Sequence, residues 1–268
     1  MPGPFVFPAF SKDDIPDWLC PNCYRATLKL VPESFKTGHT PQAQNYHKRD
    51  GYWPGNDEVI FSCMLACSQK NCEQSVALFG IGEYQQEYID GTGGETDWFA
   101  YYVPRGFFPP LTLFTPCEQY PLKIKEQLQE LSAQLPGHPQ AAINALRTAL
   151  EMIMDHFDIP REDKGKFIPL GDRIKKILGK FQNLKDGFDA LKWLGNTGSH
   201  NTKYVDKKDI ESACNMLDDF LLRIFKPENN HLETIERLNR NHNPKLKNDI
   251  NQSKETHNGF SEGANDGR

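Results

Sequence analysis

Cys20-Pro21-Asn22-Cys23 sets two thiols two residues apart, and Cys63, Cys67 and Cys72 follow about forty residues later. Thiolates at this separation can aim at one ion from a tight turn, and two such turns supply the four tetrahedral ligands that zinc prefers. In a reducing compartment such pairs hold a metal more often than they form a disulfide. Cys63 lies in an apolar, strand-like run, IFSCMLA, whereas Cys67-Ser68-Gln69-Lys70-Asn71-Cys72 is polar and turn-like. A metal knuckle needs the turn, so the ligands are assigned to Cys20, Cys23, Cys67 and Cys72, with Cys63 as the reserve. An all-cysteine site is closed and leaves no position for water, so the zinc expected here is structural. Cys117 and Cys214 are isolated and read as apolar filler or surface thiols.

The rest of the chain divides by composition. Before residue 121 there are eight basic against fourteen acidic side chains, and six of the seven cysteines. Short runs read as strands there: 25–31, 58–66, 74–80, 84–89 and 98–103. Pro32 to Asp57 is polar and rich in glycine and proline, the composition of an insertion loop. PRGFFPPLTLFTP carries too many prolines for a helix or an inner strand. After Pro121 the apolar residues recur at helical steps: 122–135, 140–157, 170–181, 184–194 and 208–225, the last opened by Asp206 as a cap. The segment from Asn239 to Arg268 has almost nothing apolar to bury.

With 268 residues, two modest domains are expected. The fold class is α+β: a small antiparallel zinc-bound β module over 1–103, a proline-rich connector over 104–120, an all-α antiparallel helical bundle over 121–241, and a disordered tail over 242–268. No apolar run reaches the roughly 18 residues of a membrane span, and the first residues have no basic leader. A cytoplasmic protein with no membrane partner is therefore expected. The formal charge of −5 gives the whole chain no field that would hold nucleic acid.

Four features of the second half carry a resemblance: AINALRTALE from Ala142 to Glu151, Gly171-Asp172-Arg173, Leu194-Gly195-Asn196-Thr197-Gly198-Ser199-His200, and Asp218-Asp219 on the final helix. Together they resemble the prokaryotic family catalogued as domain of unknown function 4145 (DUF4145), over about residues 121–226. That family is placed in the higher eukaryotes and prokaryotes nucleotide-binding superfamily, HEPN, and a cysteine-bearing module ahead of the helices is familiar in it. The resemblance implies a HEPN-like bundle behind a zinc-ribbon-like module. Active HEPN members are metal-independent ribonucleases whose arginine, polar residue and histidine form a composite site across a dimer. Here Gly195 stands directly before Asn196, where the arginine is expected. Other members are non-catalytic accessory or sensing domains in anti-phage and restriction-type systems.

The residue chemistry stands beside this. His200 can act as a general acid or base near neutral pH, or can cap the helix end. Asn196 can orient it or position a phosphate, and Arg147 can pair with Glu151 one turn on or contact phosphate. Residues 161–185 hold eight basic against three acidic side chains. Arg173, Lys176 and Lys180 fall on one helical face that can meet phosphates, and Lys192 lies one turn before Asn196. The leading function is a non-catalytic binding, sensing or adaptor protein of a bacterial defence system, with a protein partner encoded in its operon. RNA or a nucleotide is a possible ligand and a homodimer a possible assembly. The alternative is a HEPN endoribonuclease toxin using His200, Asn196 and Arg147, so enzymatic activity stays open.

Overall fold

The computed structural model of the chain describes residues 7–89, 91, 94–177, 179–199, 205–226 and 237–238. By contacts the chain divides into Met1–Phe225 and Lys226–Arg268, and every strand and helix named below belongs to the first. The expected tail over 242–268 lies outside the described residues.

Strands β1 (Leu28–Leu30), β2 (Lys36–His39), β3 (Val59–Cys67), β4 (Ser75–Tyr88) and β5 (Thr96–Phe108) form one antiparallel sheet. β1 and β2 lie end to end along one edge of β3, Leu28–Leu30 facing Leu65–Cys67 and Lys36–His39 facing Val59–Ser62. Along β3 the side chains alternate: Val59, Phe61, Cys63 and Leu65 are buried, and Ile60, Ser62 and Met64 are exposed. That period of two gives the sheet one apolar face. Phe61 anchors it, stacked on Phe35 at 5.5 Å and meeting Phe10 and Tyr102 edge-on.

Two readings of the sequence are corrected in this region. The runs 74–80 and 84–89 are a single strand, because Gly80 and Gly82 do not break it. A Cβ at Gly80 would collide with the Val103 carbonyl, and one at Gly82 with the Tyr102 ring. The glycines let β5 approach closely, and the register slips there so that Phe79 faces Gly106 while Gly80 faces Pro104. Pro104 sits at this bulge, where a missing N–H costs no ladder bond, so β5 does not stop at Val103 but runs on to Phe108.

The second correction concerns Pro32 to Asp57. It is no plain loop: it holds β2, α1 (Pro41–Asp50) and two single 3-10 turns, Pro32–Ser34 and Pro54–Asn56. Thr40 caps α1, its hydroxyl accepting from the Ala43 N–H at 3.3 Å, with Pro41 in the first helical position. α1 buries only Ala43, so it has no apolar stripe from which periodicity could detect it.

The helices that follow are α2 (Leu122–Gln134), α3 (Pro139–His156), α4 (Leu170–Lys175), α5 (Lys185–Ser199) and α6 (Lys207–Phe225). α3 buries Ile143, Leu146, Leu150 and Ile153 completely, the stripe that its spacing predicts. Asp206 opens α6, its carboxylate accepting from the Lys208 N–H at 3.0 Å. The expected small β module followed by an all-α bundle is nevertheless overturned. The sheet has strands of 14 and 13 residues and its own helix. A hairpin of β6 (Glu162–Asp163) and β7 (Lys166–Phe167) interrupts the helical region. The helix expected over 170–181 stops at Lys175, and a 3-10 turn spans Gly179–Leu184, Gly179 taking φ 68°. The molecule is α+β, with helical and sheet structure in both halves.

The two halves share a core. Leu111, Leu113 and Phe114 after β5 are buried, and Thr115 donates from its N–H and hydroxyl to Asp218 on α6 at 2.8 and 2.7 Å. Burial pushes the Asp218 carboxyl above the usual range. Lys207 of α6 donates to the Phe7 carbonyl at 2.9 Å. Among the described residues, no helix is long and apolar enough to cross a membrane.

Candidate metal centre and polar cleft

Two turns bring four thiols together. The first follows an isolated bridge between Leu19 and Thr27, with the Cys20 N–H donating to Ala26 O. The second joins β3 to β4, with the Cys67 N–H donating to Gln74 O and the Cys72 N–H to Gln69 O. Each turn closes on a left-handed residue placed directly after its second cysteine, Tyr24 at φ 52° and Glu73 at φ 51°. Neither is glycine, so each costs on the order of 1 kcal/mol. Both turns thus place a left-handed residue directly after the second cysteine.

The four sulfurs lie within 4.8 Å of one another. Cys20 Sγ is 3.6 Å from Cys72 Sγ, and Cys23 Sγ is 3.7 Å from Cys67 Sγ. Four sulfurs around one zinc at about 2.3 Å stand about 3.8 Å apart, so these thiols fit a tetrahedral ion. Backbone N–H groups also face them. Those of Arg25 and Ala26 lower Cys23 to about 6 and that of Gln74 lowers Cys72, whereas burial raises Cys20, and Cys67, although the Gln69 N–H faces it, is pushed up to about 12 by burial and the thiols beside it. Thiolate is the form that binds metal.

Cys63 stands apart from this group. It is the inward residue between Phe61 and Leu65, and burial pushes its thiol up to about 11. Cys214 is buried in α6 and pushed up to about 12 for the same reason. Cys117 is partly buried after β5.

The helical region holds a polar cleft of about 340 Å³ lined by Arg147, Gly171, Lys175, Lys192, Trp193 and Asn196, among others. Lys192 on α5 is 9% exposed. Its ammonium pairs with Asp189, which it holds below the usual carboxylate range, and lies 4.3 Å from the centre of the Trp193 ring. Gly171 admits it, because a Cβ there would stand 3.1 Å from the ammonium nitrogen. Arg147 on α3 donates to Asn196 Oδ1 and lies 3.6 Å from Glu151. Gly195 is packed on Arg147, at 3.1 Å from its Cβ to an added methyl. Gly195 is thus the contact that lets α5 approach α3.

The structure brings Arg147, Lys192 and Asn196 to one cleft and keeps Arg173 out of it. Arg173 does not share an exposed face with Lys176. It is 2% exposed, donating to Asp155 at 2.6 Å and to the Ile159 and Glu151 carbonyls. Its charge ties α4 to the end of α3, while Lys176 is exposed at the end of α4. Lys180 falls in the 3-10 turn that replaces the expected helix. His200 lies outside the described residues. The sequence reading missed Lys175 and Trp193 as cleft residues, although Trp193 next to Lys192 is a visible aromatic–cation pair.

Residues 129–252 match the family model described as Domain of unknown function (DUF4145), and residues 8–108 match that described as Domain of unknown function (DUF8608). The first match begins later and ends later than the resemblance read from the sequence. No curated protein and no solved structure matches the chain.

Proposed function

We propose that this chain is a non-catalytic binding or sensing module, its sheet held by a structural zinc on Cys20, Cys23, Cys67 and Cys72 and its helices taking a phosphate-bearing ligand in the Arg147–Lys192–Asn196 cleft. The zinc would join the two turns, which otherwise meet only through thiols and a few hydrogen bonds. The cleft reading rests on one observation above all. A lysine removed from solvent is costly unless an anion faces it; among the described residues Lys192 pairs with Asp189, which also accepts from the Trp193 indole N–H, and lies near enough to Asp172 to add to the lowering of that carboxyl by Lys175. With Arg147 and Lys175 alongside, a phosphate would meet three cations by competing with Glu151, Asp172 and Asp189, their present partners. Gly195, packed on Arg147, supports the non-catalytic reading. A HEPN-type relationship, a defence setting, an operon partner and a second copy of the chain enter this proposal from the resemblance alone.

One observation favours the ribonuclease reading: Arg147 of α3 puts a guanidinium on Asn196, supplying from another helix the cation that Gly195 lacks. Two measurements separate them. Calorimetric titration with inorganic pyrophosphate should show binding to wild type and at least tenfold weaker binding to Lys192→Ala. RNA incubated with wild type and a chelator should stay intact. Cleavage lost in His200→Ala would overturn the non-catalytic reading, and absence of pyrophosphate binding would overturn the cleft assignment.

A further inference from the structure

Outside the thiol cluster, His39, His47 and Asp57 bring two imidazole nitrogens and a carboxylate oxygen within 4.8 Å of one another. They come from three different elements: His39 ends β2, His47 lies in the last turn of α1, and Asp57 follows the 3-10 turn just before β3. His39 Nδ1 is 2.8 Å from Asp57 Oδ1, and His47 Nε2 is 3.4 Å from the same oxygen. The two rings meet edge to face at 5.1 Å, and Tyr52 closes on His47 at 5.2 Å.

The hydrogen bonding of this cluster is unusual. The Asp57 side chain is 1% exposed, and both its contacts with the rings fall on one oxygen. The other oxygen, Oδ2, is buried with no hydrogen-bond partner, and so is His47 Nε2, which is near Oδ1 but not aligned with it. Buried polar atoms are nearly always satisfied, and here two unsatisfied ones belong to the same group of three side chains. We propose that His39, His47 and Asp57 form a second metal site, for a first-row divalent cation of the zinc type. An ion bound by His39 Nδ1, His47 Nε2 and the Asp57 carboxylate would satisfy His47 Nε2, and with the carboxylate bidentate it would satisfy Oδ2 as well.

The ligand chemistry selects the ion. Two imidazoles and one carboxylate suit zinc and its transition-metal neighbours, whereas magnesium and calcium seek all-oxygen sites. Ligand atoms about 2.0–2.2 Å from a tetrahedral ion stand about 3.3–3.6 Å apart; the 3.4 Å from His47 Nε2 to Asp57 Oδ1 matches, and the 2.8 Å hydrogen bond of His39 Nδ1 to that oxygen would give way to the ion. Three protein ligands also leave a coordination position open, which water or an anion takes in sites of this kind. His39, half exposed, gives that position access to solvent. The site therefore differs in kind from the closed four-sulfur cluster.

The backbone around the three ligands is fixed by bonds that leave their metal-binding atoms alone. Thr40 donates its N–H to Glu58 O, tying together the neighbours of His39 and Asp57. Gln44 donates to His39 O, and Gly51 donates to His47 O. Such support orients ligands before an ion arrives.

Metal content of the full-length protein tests this, after equilibration with zinc and desalting. Wild type should carry two equivalents per chain, and His39→Ala and His47→Ala one each. One equivalent in wild type, or two in both variants, would overturn the proposal. A misfolded variant does not remove the test, because cobalt can be titrated into wild type under magnetic resonance. The second equivalent should shift the ring protons of His39 and His47, and unshifted rings would overturn the site.

Discussion

The sheet and the helices solve the placing of polar chemistry in opposite ways. In the sheet, the face of β3 buries phenyl rings and a thiol, and the candidate ligands stand at strand ends and in turns, Cys20 and Cys23, Cys67 and Cys72, His39 and Asp57, with His47 in the last turn of α1. In the helical region the charges are inside the packing, with Arg173, Lys192, Glu211 and Asp218 all buried. A strand offers its neighbours only alternate positions, so chemistry that needs several side chains at one point collects where the chain turns. A helix presents residues three and four apart on one face, and facing helices can bring such rows together at depth. The comparison teaches that removing polar groups should damage the sheet through lost ligation and the helices through stranded charge.

The largest effect is expected at the thiols. Cys20→Ser or Cys67→Ser should lose metal and melt the sheet far below wild type, because structural zinc contributes on the order of 10 kcal/mol of folding free energy. Cys63→Ser should keep its metal. Equal metal loss in all three variants would erase the distinction between turn and strand cysteines.

Next comes Arg173→Ala. Asp155 is half exposed and keeps Arg161, so the cost is that of the stranded Ile159 carbonyl and the hole left by a buried side chain, about 2–3 kcal/mol. Chemical denaturation should show it, and Lys176→Ala, on the exposed side of the same segment, should change stability by less than about 0.5 kcal/mol. Comparable losses would contradict the burial of Arg173. Gly195→Arg should cost about 1–3 kcal/mol by overpacking α5 against α3. An unchanged melting temperature would show that the helices can separate.

The smallest effect is a pH dependence. Arg161, and then Arg173, hold the Asp155 carboxyl below the usual range. A carboxylate depressed in the folded state contributes stability above its unfolded value, about 3.9, and loses it as pH falls through the folded value. Asp155→Asn should therefore lower the melting temperature by a few degrees at neutral pH and flatten its fall below about pH 4. A parallel acid limb in both proteins would count against the pair.

The two cysteine-bearing turns and the stripe of α3 were legible in the sequence because local geometry governs each, whereas the meeting of the turns, Cys20 with Cys72 and Cys23 with Cys67, rests on β1 pairing with β3. Two cysteines flanking a tight turn meet whatever the rest of the chain does, and Ile143, Leu146, Leu150 and Ile153 share a face on any helix. The cap at Asp206 is equally local. α1 was not legible, since a helix that buries one alanine carries no periodic signal. Nor was the continuity of β4 through Gly80 and Gly82, where glycine meant close approach by another strand instead of a turn.

Burial of charge was decided by the tertiary structure alone. Arg173 and Lys176 occupy one basic stretch and look alike as letters, yet α3 lies over the first and solvent over the second. Gly195 looks like a helix breaker when read along the chain; in space it is the gap against which Arg147 packs. His39, His47 and Asp57 span 19 residues without a motif, and they converge because β2 pairs with β3 and α1 folds back between them. Spacing along a chain encodes contacts within a turn of backbone, whereas which distant segment covers a side chain depends on how whole elements pack, and that no short pattern records.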